Sequence, residues 1–194
     1  DASKRNLLVI IADDFRPAAN HSSCLSLGRK FNGPLNGYPI DATSRVCQDL
    51  LWSQYIKPNF VDRGASAFLL DEDDAEGTLP HPLCHKADPE CREYGYDTSY
   101  GPAVATSNLW VRAWIDTFTS RIAEPLVLTR AVWAGGARSG VVLWSSDIQS
   151  TFSELAAQIP LGVHASLSGI PWWASDVGGF GCGIQHPNNS TYMQ

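Results

Sequence analysis

The sequence predicts an α/β fold in which parallel strands alternate with crossover helices. Short runs such as Leu7–Ala12, Ala65–Leu70 and Val141–Trp144 are almost entirely apolar. Runs of this kind are typical of strands buried on both faces of a parallel sheet. Between the runs, apolar residues recur at helical spacing, and strands that alternate with helices favour parallel pairing.

The first half of the chain predicts two strands and one helix. The first strand ends at Asp13-Asp14, and a loop rich in Gly, Pro, Asn and Ser continues to about Thr43. Arg63-Gly64 then turns the chain into the second strand. The helix between them is expected over residues 44–57, with Pro58 just past its end and Val46, Leu50, Leu51 and Tyr55 on one side.

The second half of the chain follows a long acidic loop over residues 72–100. Loops of this length are uncommon in compact domains unless they are functional. Two helices and further strands are expected after it. The first is a helix over residues 103–122 whose apolar stripe consists of Trp110, Val111, Trp114, Ile115 and Phe118, and strands over 125–129 and 141–144 follow it. The second helix begins at the capping box Thr151-x-x-Glu154 and runs through Ile159, with Phe152, Leu155 and Ile159 buried. A strand over 164–167 and a further apolar segment over 170–176, which leads to a polar end, complete the expected elements.

Charged residues follow the expected strands, and this repetition favours a barrel. The strand ends carry Asp14, Asp71, Arg130, Asp147 and Asp176. A (β/α)8 TIM-type barrel places its chemistry at the carboxyl ends of its strands. A complete barrel needs eight strands in about 250 residues, whereas five or six are expected here. We therefore predict a single domain over residues 1–194 that is a partial barrel, with further chain segments or subunits completing it.

Composition excludes several classes of function. The net charge is −6, and the 14 Lys and Arg residues are scattered, which argues against a nucleic-acid partner. No apolar run approaches the roughly 18 residues of a membrane span, so no membrane association is expected. The first strand is not followed by a Gly-x-Gly-x-x-Gly phosphate motif. No cofactor and no metal site are expected.

The cysteines and the glycosylation sequons bear on the cellular compartment in which the protein is located. Five cysteines are present, and Cys84 and Cys91 flank a short polar loop where a local disulfide is plausible in an oxidising compartment. Three glycosylation sequons begin at Asn20, Asn188 and Asn189. A secreted or lumenal glycoprotein is the expectation, and a cytoplasmic location stays open.

Two motifs near the end of the chain resemble glycoside hydrolase family 31, the α-glucosidase and α-xylosidase family. The first is Arg130-Ala-Val-Trp-Ala-Gly-Gly-Ala-Arg-Ser-Gly-Val-Val-Leu-Trp-Ser-Ser-Asp147, and the second is Leu167-Ser-Gly-Ile-Pro-Trp-Trp-Ala-Ser-Asp-Val-Gly-Gly-Phe180. The resemblance is strong over residues 124–180 and moderate over residues 55–76.

The resemblance implies a retaining α-glycosidase that acts through a covalent glycosyl-enzyme. It would make Asp71 the nucleophile and Asp147 the general acid/base. It implies sugar-binding roles for Arg130, Trp144, Asp176 and Phe180, and the indoles of Trp172 and Trp173 offer further flat faces for a pyranose. The implied substrate is an α-linked glucoside or xyloside.

Departures from the family pattern keep a second hypothesis open. Ser146 stands where the family commonly has Gly, so its Cβ would be strained if the backbone there needs a positive φ. Residues 72–74 are unusually acidic, and the family's histidine from a later strand has no match before Gln194. The alternative is a non-catalytic relative that binds carbohydrate or serves as a structural subunit.

Two further alternatives concern individual residues. Asp71 and Asp147 could simply cap helix N–H groups at strand ends. The opening Asn6-Leu-Leu-Val-Ile-Ile-Ala-Asp-Asp14 resembles the first strand of sulfatases, although the order Ser44-Arg45-Val46-Cys47 does not match their nucleophile motif. A sulfatase-like hydrolase is therefore a remote alternative.

Overall fold

The computed structural model describes residues 7–11, 24, 40–71, 98–101 and 103–180. Over these residues the fold is one parallel sheet of five strands in the order β1-β2-β3-β4-β5. The strands are β1 (Leu7–Ile11), β2 (Ala65–Leu70), β3 (Leu126–Thr129), β4 (Val142–Trp144) and β5 (Trp173–Ala174). All four strand pairings are parallel. The predicted α/β class with crossover helices is therefore confirmed.

Helices connect the strands. Helix α1 (Arg45–Leu51) continues through a π-helical turn (Trp52–Ile56) into the short helix α2 (Lys57–Asn59). Helix α3 (Ala103–Thr119) precedes β3, and helix α4 (Phe152–Leu167) joins β4 to β5. None of the helices in the described part of the chain is both long and apolar enough to cross a membrane.

The core lies between β2, β3 and the two helices α1 and α3. The predicted stripe on α3 is confirmed, since all five of its apolar residues are buried. Phe118 packs against Phe68 of β2 with ring centroids 5.3 Å apart, and Trp114 contacts Phe118 edge-on. The indole N–H of Trp110 donates to the Ile40 carbonyl at 2.8 Å. This packing anchors β2, which Asp71 directly follows.

The buried face of α1 agrees with the expected one in part. Leu51 is buried and Leu50 and Tyr55 pack against the core, as expected, whereas Val46 is exposed. Cys47 and Gln48 are also buried, and Ile56 is the buried residue of the π-helical turn. Pro58 lies inside α2 and not beyond the helical segment, because the first turn of a helix leaves its N–H groups unpaired and so tolerates proline.

The predicted strand over residues 164–167 is wrong. Thr151 caps α4 as expected, accepting a hydrogen bond from the Glu154 N–H at 3.1 Å, but the helix runs on to Leu167. Pro160 and Gly162, which follow the expected end of the helix at Ile159, both lie inside α4. Gly162 is accommodated because the Trp173 indole lies directly against it. His164 therefore belongs to α4, and the fifth strand is Trp173–Ala174.

The expected buried face of α4 is also wrong. Phe152, Leu155 and Ile159 are all exposed. Strand β5 contacts α4, but its two residues cover little of this side of the helix.

One disulfide joins Cys24 to Cys47 across 23 positions of sequence. Both cysteines are buried in the core. The sequence did not predict this pairing. The disulfide predicted between Cys84 and Cys91 lies outside the described residues, as do Asp14, the sequon asparagines and most of the acidic loop 72–100.

Candidate active site

The charged residues at the strand ends meet at one edge of the sheet. Asp71 follows β2, Arg130 follows β3, Asp147 lies three positions after β4, and Asp176 lies two positions after β5. Since β2 to β5 are all parallel, their carboxyl ends face the same way. This is the edge at which barrel proteins hold their catalytic groups.

A cavity of about 270 Å³ opens at this edge. Three carboxylates, two aromatic rings and inward-facing strand residues line it. The lining residues are Leu69, Asp71, Leu128, Trp144, Asp147, Ala174, Ser175, Asp176 and Phe180. Five of the residues implied by the family resemblance are thus brought together from three strands. Carboxylates beside aromatic rings offer a bound molecule both hydrogen-bond acceptors and apolar walls.

Arg130 fixes the position of Asp71. Its guanidinium Nη1 lies 3.4 Å from Asp71 Oδ1, and its backbone N–H donates to the Leu70 carbonyl at 3.2 Å. The Arg130 side chain is 11% exposed, while that of Asp71 is 37% exposed. The cation is therefore held within the protein and the carboxylate faces the cavity.

The other two carboxylates affect the pKa of Asp176. Its partial burial raises its pKa, and the negative charges of Asp147 and Asp71 raise it further. Its backbone N–H donates to Ser145 Oγ at 3.2 Å, which ties the end of β5 to the end of β4. A carboxyl group whose pKa is shifted by burial and by neighbouring charges in a cavity is a candidate functional group.

The backbone at Ser146 is left-handed, with φ of 60°. A positive φ is strained for a residue with a side chain, by about 1–2 kcal/mol. The sequence made strain at Ser146 conditional on a positive φ, and the backbone has one. The turn lies between β4 and Asp147, which lines the cavity.

Gly179 lies in a tight turn between Asp176 and Phe180, both of which line the cavity. Its φ is 78°, and a Cβ there would lie 2.6 Å from the Ser150 Cα. The Gly179 N–H donates to the Asp176 carbonyl, and the next N–H, that of Phe180, donates to Ile148. This turn returns Phe180 to the cavity rim. The sequence contained the signal, since paired glycines after a strand are typical of a tight turn, but it gave no hint of the contact with Ser150.

The tryptophans divide between two faces of the sheet. Trp144 is 8% exposed and lines the cavity. Trp172 and Trp173 do not line it. Neighbouring residues of a strand point to opposite faces, so Ala174 faces the cavity and Trp173 lies against Gly162 of helix α4. Trp172 is largely exposed.

Helix capping does not account for Asp147, since the cap of α4 is Thr151. Asp71 contacts Arg130 at the sheet edge, where the described chain begins no helix. Within the described ranges, no three His, Cys, Asp or Glu side chains are grouped so that they could hold a metal ion.

Fold and site together define the class of protein: a TIM-barrel-type domain with an acidic cavity at the carboxyl ends of its strands. The family model for the glycosyl hydrolases family 31 TIM-barrel domain matches residues 15–193. The chain belongs to glycosyl hydrolase family 31. This membership favours the glycosidase hypothesis over the sulfatase-like one.

Individual relatives agree with this assignment. The chain is 34% identical over 154 residues to an alpha-xylosidase of Saccharolobus solfataricus, and 33% identical over 155 residues to an uncharacterized family 31 glucosidase of Pseudescherichia vulneris. Each match covers 76% of this chain. The crystal structure of a family 31 alpha-xylosidase from a soil metagenome, complexed with xylose, superimposes on 95% of the chain with a TM-score of 0.71 and 28% identity.

The chain spans only part of these relatives. It covers 20% of the Saccharolobus alpha-xylosidase, 26% of the Pseudescherichia protein and 28% of the chain in the metagenome structure.

Proposed function

We propose that this chain forms part of the active site of a retaining α-glycoside hydrolase. The observation that carries the proposal is that Asp71 and Asp147, which follow different strands, line one cavity together with Asp176. Paired carboxyl groups across one cavity are the equipment for glycosidic bond hydrolysis. Membership of family 31 and the similarity to alpha-xylosidases support the same reaction class.

The reaction would proceed in two displacements. Asp71 attacks the anomeric carbon as its bond to the leaving oxygen breaks, and Asp147 donates a proton to that oxygen. In the second step Asp147 takes a proton from water, the water oxygen attacks the same carbon, and the bond to Asp71 breaks. Two inversions give net retention.

The neighbouring residues have distinct roles in this proposal. Arg130 holds Asp71 through the 3.4 Å ion pair, so that the nucleophile stays oriented towards the sugar. Asp176 accepts hydrogen bonds from sugar hydroxyls, and Trp144 and Phe180 provide apolar walls for the ring. The substrate class is an α-linked xyloside or glucoside, with the xyloside favoured by two alpha-xylosidase relatives in the comparisons above.

We also propose that the protein is located outside the cytoplasm. The Cys24–Cys47 disulfide is buried in the core, and structural disulfides form and persist mainly in secreted or lumenal proteins.

The second hypothesis is a non-catalytic, sugar-binding relative. Strain at Ser146 beside the proposed acid/base favours it, because a turn that relaxes away from φ of 60° would move Asp147 out of position.

Turnover of α-xylosides and α-glucosides with alkyl or sugar leaving groups tests the proposal. We expect Asp71→Asn and Asp147→Asn to lower kcat by at least about a thousandfold on these substrates, because an unactivated leaving group needs both the nucleophile and the proton donor. Asp62→Asn, which removes an exposed partner of Lys57 on the surface, should leave turnover unchanged.

Azide distinguishes the two roles. It should rescue Asp147→Asn and give an α-glycosyl azide, since azide replaces water in the second step. In Asp71→Asn it should give a β-glycosyl azide, since azide replaces the nucleophile. Sugar binding without turnover in the wild-type chain would instead support the non-catalytic hypothesis.

A further inference from the structure

Ser145 lies where the ladder of hydrogen bonds between β4 and β5 ends. The Leu143 N–H donates to the Trp172 carbonyl at 3.0 Å. Two residues on, the Ser145 N–H donates to the Ala174 carbonyl at 3.1 Å. The bonds of a parallel ladder are evenly spaced, so the next one would run from the Asp176 N–H to the Ser145 carbonyl. That N–H instead donates to the Ser145 hydroxyl oxygen, Oγ, at 3.2 Å. A side-chain oxygen therefore takes the place of a backbone carbonyl.

The same hydroxyl bonds the strained turn that follows. Ser145 Oγ donates to the Ser146 carbonyl at 2.9 Å, and Ser146 has the left-handed backbone, with φ of 60°. A hydroxyl can donate one hydrogen bond and accept others at the same time. Left-handed backbone is unfavourable for a residue with a side chain and persists where its surroundings hold it. The Ser145 hydroxyl supplies such a contact, since it links the turn to the end of β5.

Two cross-links hold Asp147 between them. The first is the Ser145 hydroxyl, two positions before Asp147, which bonds the Asp176 N–H. The second runs from the Phe180 N–H to the Ile148 carbonyl at 3.0 Å, one position after Asp147. The residues Asp147, Asp176 and Phe180 line the cavity. Ser145 does not line it, so it can act on the cavity only through the backbone groups that it bonds.

We propose that Ser145 is a positioning residue for Asp147, the acid/base of the glycosidase function on which this proposal rests. Its hydroxyl joins the end of β5 to the turn at Ser146 and so keeps the Asp147 carboxyl at the cavity. Without the hydroxyl, the turn relaxes from its left-handed conformation and Asp147 moves. A displacement of about 1 Å in a catalytic group is enough to lower a rate by about a hundredfold.

The dependence of Ser145→Ala on the leaving group tests this role. The ratio kcat/KM reports the first displacement, in which Asp147 protonates the leaving oxygen. An alkyl α-xyloside needs that proton, whereas a nitrophenyl α-xyloside has a leaving group that departs with little help. We expect Ser145→Ala to lower kcat/KM by about ten- to a hundredfold on the alkyl xyloside and by less than about threefold on the nitrophenyl xyloside.

Two control variants accompany Ser145→Ala. Ser145→Thr keeps the hydroxyl and should stay within about threefold of wild type on both substrates. Ser139→Ala removes another half-buried hydroxyl, which donates to Asp116 Oδ1 at 3.2 Å outside the cavity lining, and it should change neither rate. Circular dichroism verifies folding, and Ser145→Val, the isostere of the threonine variant, replaces Ser145→Ala if alanine prevents folding. Equal losses on the two xylosides, or no loss on either, would overturn the positioning role.

A glycine at position 146 gives a second readout. Glycine adopts a positive φ without strain, so in a Ser146→Gly background the turn depends less on the hydroxyl. We expect the loss caused by Ser145→Ala on the alkyl xyloside to be at least about threefold smaller in that background than in wild type, because residues that act through one another are not additive. Equal losses in both backgrounds would show that Ser145 does not act through the turn.

The titration of Asp176 separates this role from the proposed function. Burial raises the pKa of Asp176, and the charges of Asp147 and Asp71 raise it further. If Asp147 moves away, the pKa of Asp176 in Ser145→Ala should fall towards 3.8, whereas Ser139→Ala should keep the wild-type value; heteronuclear NMR of the carboxyl group measures both. A wild-type protein that turns over neither xyloside would contradict the glycosidase function, and the NMR comparison would still decide the position of Asp147. An unchanged pKa in folded Ser145→Ala would overturn the positioning role.

Discussion

At the scale of single residues, the site depends on a few side chains whose position is set by strained or crowded backbone. Ser146 adopts a left-handed conformation, and Gly179 lies where any side chain would meet Ser150. Both turns direct a neighbouring residue, Asp147 or Phe180, into the cavity. Local strain of this kind persists where the surrounding structure holds it, and it is common at functional sites.

Ser146→Gly should stabilise the protein by about 1 kcal/mol, because glycine adopts a positive φ without steric strain. Chemical denaturation measures the change in the free energy of unfolding. The reciprocal control is Gly140→Ala, where φ is 66° and an added Cβ meets no atom within 4 Å, so a loss of about the same size should follow. Equal stability of Ser146→Gly and wild type would contradict the strain at this turn.

Asp176→Asn should raise the thermal stability at neutral pH. Burial and the charges of Asp147 and Asp71 raise the pKa of Asp176 in the folded state above the ordinary value of 3.8. The protonated form is therefore favoured by folding, and stability falls as pH rises from 3.8 through the raised pKa. Because Asn carries no charge at any pH, Asp176→Asn removes this loss of stability at neutral pH. Melting temperatures should diverge from wild type at pH 7 and converge at pH 3; a constant difference would contradict the shift.

At the scale of elements, the sequence predicted those whose pattern is set locally. Strand β2 was expected over the residues that form it, and the α3 stripe is buried as predicted. Helix α4 began at its predicted capping box. Its end was predicted at Ile159, and residues 164–167 were predicted as a strand, although the helix continues to Leu167.

Gly162→Ala should destabilise the protein by about 1 kcal/mol, although alanine favours helices. A Cβ there would lie 2.8 Å from Trp173 Cδ1 and 3.1 Å from Nε1, and overpacking of about 1–3 kcal/mol outweighs the roughly 1 kcal/mol of helix propensity. In a Trp173→Ala background the same substitution should become stabilising. If its effect has the same sign in both backgrounds, the contact does not control the cost.

At the scale of the whole molecule, long-range links hold the described chain together. The Cys24–Cys47 disulfide closes a loop of 23 positions and lies in the core. Trp110 and Ile40 are joined by a hydrogen bond across 70 positions. A disulfide of this range reduces the entropy of the unfolded chain, and a hydrogen bond of this range forms only in the complete fold. No local sequence pattern therefore predicts either of them.

Reduction of the disulfide should lower the free energy of unfolding by about 3 kcal/mol, the loop-closure value for a loop of this length. Denaturation with and without a phosphine reductant measures the loss. Mass spectrometry of the non-reduced digest should yield a cross-linked peptide pair containing Cys24 and Cys47. A digest in which these cysteines are free would contradict the pairing, and the same map tests the predicted Cys84–Cys91 link.

The sequence by itself determined the class of fold, the family and the identity of the candidate acids, because apolar runs, helical periodicity and motif residues are local properties. Only the tertiary structure decided which of those residues meet. Parallel strand ends brought Asp71, Asp147 and Asp176 to one cavity with Trp144 and Phe180, while strand alternation turned Trp173 away to helix α4. Among the described residues, the apolar side chains Leu155, Ile159 and Leu167 of α4 are exposed, since burial depends on which elements pack against a helix.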